Sequence, residues 1–229
     1  MEGLYKKHLI PLESNPDVFN YLIHLLGISL ALTFQDVFSI DEPDLLPHPA
    51  LALVLVFPTT DGYEIRKIAE EATYEEYGGS GEDEDVVYAA RDFIEPDSLI
   101  ANLLESCIHL TLQERALVLE KSEELENAYK TAAVLGDSEI PDSPEDEVDF
   151  HYVCFFKSHQ SGRLYELDGD RKGPINKGHL VAPGEDILAQ GGLDVVREFM
   201  KSECENPNFS LMALVHEQEE LACNKGEVK

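Results

Sequence analysis

The stretch Ala50-Leu51-Ala52-Leu53-Val54-Leu55-Val56-Phe57 is apolar at every position and stops at Pro58. Apolar residues on both alternations of an extended chain suit a strand covered on both faces, and proline, which cannot donate to a ladder, suits its end. This segment is therefore predicted to run through the middle of a sheet. On its N-terminal side Asn15 can cap a helix and Pro16 fits the first helical position, with Phe19, Leu22, Ile23 and Leu26 on one face before Gly27 ends it.

On the C-terminal side the sequence from Glu64 to Asp85 is acidic and glycine-rich and reads as a surface loop. Two helices are expected next. One is centred on Leu99, Ile100, Leu103, Leu104 and Cys107, and the other opens at Thr111, with Glu114 completing a capping box, and runs to about Lys130. Gly136, Pro141 and Pro144 among acids make Val134 to Glu147 a second exposed loop. Strands at Val148 to Phe156 and Arg163 to Leu167, joined through Ser158, Gln160 and Gly162, form a predicted hairpin. A helix near Leu193 to Met200 and a strand near Ser210 to Val215 complete an α+β chain, expected as one domain over residues 1–216 with a charged tail at 217–229.

The 229 residues carry a formal net charge of −29. Such a surface repels phosphate backbones and anionic headgroups and attracts basic proteins, which argues against nucleic acid and membrane as partners. No apolar run reaches the roughly 20 residues of a membrane span, and Met1 to Lys7 lacks a signal-peptide apolar core, so a cytoplasmic protein is expected. The four cysteines, Cys107, Cys154, Cys204 and Cys223, are scattered without paired spacing and read as free thiols. No motif points to a metal or an organic cofactor.

Chemistry concentrates on the hairpin. His151 lies in Asp149-Phe150-His151-Tyr152-Val153, and Asp168 ends Leu164-Tyr165-Glu166-Leu167-Asp168 seventeen positions later. Adjacent strands can bring the two together. A carboxylate on one imidazole nitrogen fixes the tautomer and stabilises the imidazolium that forms when the other nitrogen takes a proton from a nucleophile. The same pair is also an ordinary strand histidine followed by a strand-end aspartate, and composition alone favours that reading.

Several separated stretches resemble the ubiquitin carboxyl-terminal hydrolase family, papain-like cysteine peptidases. These are Ile10-Pro11-Leu12-Glu13-Ser14-Asn15-Pro16-Asp17, Phe34-Gln35-Asp36-Val37-Phe38, Leu53 to Pro58, Asp149-Phe150-His151-Tyr152 and Leu164 to Gly169, in the family's order. The resemblance implies a papain-like antiparallel sheet flanked by helices, with His151 as the base and Asp168 as the orienting carboxylate. It also implies ubiquitin as partner, contacted through Leu12, Glu13, Asp17 and Asp36, and places Val134 to Glu147 where the family has a loop crossing the active site. Local readings stand beside these: Leu12 can pack next to the first helix, and Asp17 suits the positive end of its dipole.

One family motif has no counterpart. The strand that leads to Q-x-x-x-N-x-C-G-T, carrying the oxyanion glutamine and the nucleophilic cysteine at the start of a central helix, corresponds to Val87-Tyr88, which here runs straight into Ala89-Ala90-Arg91. None of the five glutamines has the right cysteine context; Gln218 and Cys223 come nearest. Cys154 should face away from His151 across the sheet, Cys107 sits in an apolar helix stripe, and Cys204 is flanked by Glu203 and Glu205. The chain is thus expected to descend from a thiol-dependent deubiquitinase, to lack the central helix and to be inactive as written. The alternative is a non-catalytic ubiquitin-binding module. A monomer is expected, and a truncated gene model or skipped exon accounts best for the junction. Such a chain would have to collapse around the gap, retain a large cavity or stay loosely folded.

Overall fold

The computed structural model describes residues 11–73, 91–138, 150–171, 173–203 and 208–216. Its α-helices are α1 (Pro16–Leu26), α2 (Asp61–Thr73), α3 (Leu99–Cys107), α4 (Leu112–Lys121), α5 (Glu123–Ala133) and α6 (Gln190–Ser202). Its strands are β1 (Leu32–Asp36), β2 (Ala50–Pro58), β3 (Phe150–Lys157), β4 (Arg163–Asp168), β5 (Ile175–Leu180) and β6 (Ser210–His216). All six strands join one antiparallel sheet in the order β1-β6-β2-β3-β4-β5, which makes the fold α+β.

The apolar run occupies an interior position as its pattern implies, with β2 between β6 and β3. Leu53, Leu55 and Phe57 are fully buried on one face, where they join Val153 and Phe155 of β3, Leu211 and Ala213 of β6, and Leu193, Val196 and Phe199 of α6. The opposite alternation, Val54 and Val56, meets Phe34, Met212 and Leu214 and packs against Phe19 and Ile23 of α1. Helices therefore cover both faces. The coverage is unequal, since among the described residues the first face gathers a far larger set of buried side chains than the second.

Capping fixes the helix ends. Asn15 accepts the backbone N–H of Asp17 at 2.9 Å, and Gly27, at φ 95°, closes α1 with its N–H on the His24 carbonyl. Thr111 and Glu114 form the expected capping box. The helix that starts there does not continue to Lys130, however. Ser122 leaves helical geometry at ψ 108° and its hydroxyl accepts the N–H of Leu125 at 3.1 Å, so α4 ends and α5 begins anew. A serine followed by Glu123 and Glu124 supplies a cap and favourable first-turn charges, and together these outweigh continuation.

The expected loop from Glu64 is likewise corrected as far as Thr73, because α2 occupies it. Thr60 accepts the N–H of Tyr63 at 3.0 Å, Asp61 and Glu64 sit in the first turn, and Tyr63 and Arg66 turn inward toward the sheet and α6. Ile65 and Ile68 point outward at 68% and 67% exposure, so the helix shows no apolar stripe in the sequence. Residues 74–90, the expected loop segment 139–147, and the tail from 217 lie outside the described residues. Strands β1 and β5 fall outside the segments that the sequence pattern marks as strands. Among the described residues no helix is long and apolar enough to cross a membrane.

Candidate active site

The β3–β4 register places Val153 opposite Asp168, so His151, two residues back, projects from the same sheet face on the diagonal. His151 Nε2 lies 2.7 Å from Asp168 Oδ1. The side chain of Asp168 is fully buried and that of His151 is 21% exposed. Asp168 also accepts the Tyr63 hydroxyl on Oδ2 at 2.6 Å, the Asp170 backbone N–H on Oδ1 at 2.9 Å and the Arg171 Nε–H on Oδ2 at 3.3 Å.

Burial by itself would raise the pKa of Asp168. The hydrogen bonds from His151, Tyr63 and the Asp170 N–H, with the attraction of the imidazole, outweigh it and hold the carboxyl well below the usual carboxylate range. An ionised carboxylate can only accept, so the shared proton belongs to His151 Nε2 and the lone pair to Nδ1. Among the described residues Nδ1 has no hydrogen-bond partner. Burial, followed by donation to Asp168 and the nearby negative charge, raises the Tyr63 phenol, which keeps it a donor. The imidazole is walled by Phe57, ring centroids 5.7 Å apart and nearly perpendicular, and by Tyr63 at 5.2 Å.

This arrangement can accept a proton at Nδ1 and stabilise the resulting imidazolium through Asp168. It holds no nucleophile among the described residues. Cys154 alternates to the other sheet face opposite Val54, and burial pushes its thiol up to about 12. Cys107 ends α3, away from the hairpin, and Cys204 and Cys223 lie outside the described residues, as does the junction at Tyr88.

The other sequence candidates divide into two pairs. Leu12 and Glu13 line a cleft of about 830 Å³ together with Val56, Tyr152, Tyr129 and Ala133. The Leu12 carbonyl accepts the Tyr152 hydroxyl. Glu13 accepts the Ser138 N–H at 2.7 Å and the Asn15 side-chain amide at 3.3 Å, and hydrogen bonding, led by Ser138, lowers its pKa. Asp17 is exposed in the first turn of α1, and Asp36 is half-buried at the end of β1, opposite Met212; neither lines the cleft. The cleft opens on the α1 face of the sheet and the His151–Asp168 pair on the α6 face.

Tyr63 and Arg171 are not among the candidates that the sequence pattern marks. Arg171, three residues beyond Asp168, was within reach of a local argument, but only the tertiary fold brings Tyr63 105 positions back to the carboxylate.

The family model described as "Ubiquitin carboxyl-terminal hydrolase, family 1" matches residues 9–92 and 89–201, two segments that meet at 89–92. A probable ubiquitin carboxyl-terminal hydrolase of Dictyostelium discoideum is 30% identical over 239 residues, covering 94% of this chain and 91% of that protein. The ubiquitin carboxyl-terminal hydrolase isozyme L1 of Equus caballus is 31% identical over 226 residues, covering 90% and 97%. Among solved structures, the UCH37 catalytic domain of Trichinella spiralis bound to ubiquitin vinyl methyl ester superposes with a TM-score of 0.67 at 21% identity, covering 94% of this chain and 99% of that one.

Proposed function

The chain belongs to the ubiquitin carboxyl-terminal hydrolase family, and from that premise we propose that its complete form is a thiol-dependent deubiquitinase in which His151 is the general base and Asp168 orients it. The observation that carries this is the 2.7 Å contact between His151 Nε2 and Asp168 Oδ1, which leaves Nδ1 to take the proton of a cysteine thiol. The thiolate would attack the carbonyl carbon of ubiquitin's C-terminal glycine. The imidazolium then returns its proton to the departing amine or alcohol, and water, activated by the same imidazole, hydrolyses the thioester. Small adducts are the expected leaving groups.

The chain as written lacks the thiol for this and is inactive on this reading. Two observations support a gap near Tyr88. The family match divides at residues 89–92, and the alignment with the Dictyostelium relative spans 239 positions, more than the 229 residues available here.

A second reading, a non-catalytic ubiquitin-binding module, draws on Leu12 and Glu13 at that open cleft and on the net charge of −29. Asp17 and Asp36 would extend the contact, with ubiquitin bound by a cytoplasmic monomer. The Trichinella structure holds a ubiquitin derivative, which favours ubiquitin as the ligand to test.

Two assays on this chain decide: turnover of a fluorogenic ubiquitin C-terminal amide, and ubiquitin binding by calorimetric titration. Binding without turnover is expected. Turnover abolished by His151→Ala would refute inactivity, and absence of both signals would refute the ubiquitin assignment of this chain. Sequencing the transcript across Tyr88 and Arg91 tests the gap; abundant uninterrupted message would weigh against a missing segment.

A further inference from the structure

Tyr63 is 0% exposed and belongs to α2, yet it touches both members of the His151–Asp168 pair. Its hydroxyl donates to Asp168 Oδ2 at 2.6 Å while its ring lies against the imidazole at 5.2 Å. Oδ2 is thereby occupied by Tyr63 and Arg171, so His151 finds its acceptor on Oδ1, the oxygen also bound by the Asp170 N–H. The phenol fixes the rotation of the carboxylate as well as its charge.

The tyrosine is itself anchored from several sides. Its ring meets Phe57 edge-on at 5.1 Å, and Arg66, Lys67 and Arg171 place cationic groups 5.5–5.8 Å from its centroid. Lys67 Nζ reaches Asp170 at 3.0 Å, and Arg171 Nη1 donates to the Lys67 carbonyl at 2.9 Å. The α2 helix and the turn after β4 thus grip each other around the carboxylate. No thiol takes part in any of these contacts.

We infer that Tyr63 is a positioning residue that locks Asp168, and through it the Nε2–H form of His151, so that the base is pre-set without help from the nucleophile. This rests on the reading of His151 as general base. A rigid donor on the second carboxylate oxygen removes the alternative in which the carboxylate rotates, takes Arg171 on both oxygens and releases the imidazole.

The test uses the full chain with ¹⁵N-labelled histidine. In the wild type the His151 Nε2 proton should be downfield and slow to exchange, with the ¹⁵N shifts of the Nε2–H tautomer. Tyr63→Phe keeps the ring and removes the donor; solvent exchange of that proton should quicken about tenfold. Thr60→Val removes the cap on the Tyr63 N–H and the hydroxyl that meets Glu203, which loosens α2 without a hydrogen bond to Asp168 or His151, and should leave the proton unchanged. Site-specific 3-fluorotyrosine at position 63 makes the phenol more acidic and a stronger donor, and it should shift the Nε2–H resonance even if Tyr63→Phe proves too unstable to study. Equal effects of Tyr63→Phe and Thr60→Val would overturn the inference by reducing Tyr63 to a helix anchor, as would an Nε2–H signal indifferent to fluorination. Neither readout requires ubiquitin or a thiol, so failure here leaves ubiquitin binding standing, and loss of ubiquitin binding leaves the coupling measurable.

Discussion

Gly27 and Ser98 touch where α1 ends and α3 begins: a β-carbon built on Gly27 would lie 2.1 Å from Ser98 Cβ and 2.6 Å from its hydroxyl. Ser98 is the cap of α3, accepting the Ala101 N–H at 3.3 Å, so the close approach joins two helix termini in one junction. Gly27→Ala must strain a backbone at φ 95° and displace that cap. A loss of about 2–4 kcal/mol is expected in urea unfolding, against a change within about 0.5 kcal/mol for Gly169→Ala, where nothing lies within 4 Å.

Acid should weaken the fold through Asp168. Its folded pKa lies below the unfolded value of about 3.9, so between the two the unfolded chain binds more protons and stability climbs with pH. The contribution is complete above about pH 5 and is lost as the pH falls through 4 and below. Asp168→Asn removes that group from the balance. Urea midpoints measured at pH 7, 4 and 3 should decline less steeply in the variant than in the wild type, and parallel slopes would show that Asp168 does not set the acid limb.

Alkylation should pass over Cys154. With its thiol pushed up to about 12, the thiolate near neutral pH is about a thousandfold scarcer than for a free cysteine, and reaction with iodoacetamide slows accordingly. Peptide mass mapping should find Cys154 unmodified in the folded protein and labelled in urea. Rapid labelling without denaturant would contradict the raised thiol of this half-buried residue.

Removing the hydroxyl of Ser122 tests the break between α4 and α5. Were the two segments a helix merely interrupted, Ser122→Ala would raise helicity and stability. Because the hydroxyl accepts the Leu125 N–H, a loss of about 1 kcal/mol is expected instead, read from the urea midpoint together with far-ultraviolet circular dichroism.

Which features were legible in the sequence follows from the range of the forces that make them. The β2 run, the Asn15 and Thr111 caps and the β3–β4 hairpin all depend on neighbours in sequence, and each stands where pattern and capping chemistry put it. The juxtaposition of His151 and Asp168 was accessible for the same reason, being a cross-strand diagonal in one hairpin. Helix α2 was hidden because its stabilising contacts are remote: Tyr63 bonds Asp168 and Arg66 bonds Glu203, whereas its isoleucines face water. β1 and β5 escaped because a five-residue strand at one sheet edge, and another edge strand alternating half-buried and exposed residues, have too little apolar pattern to announce themselves.

The placement of β6 has a consequence for synthesis. Residues 210–216 insert between β1 and β2, so the two earliest strands to leave the ribosome cannot enter a common sheet until one of the latest arrives. Until then Leu53 and Leu55 await Ala213 and Leu211, their cross-strand neighbours, and a nascent chain halted before Ser210 would present an apolar edge open to other polypeptides.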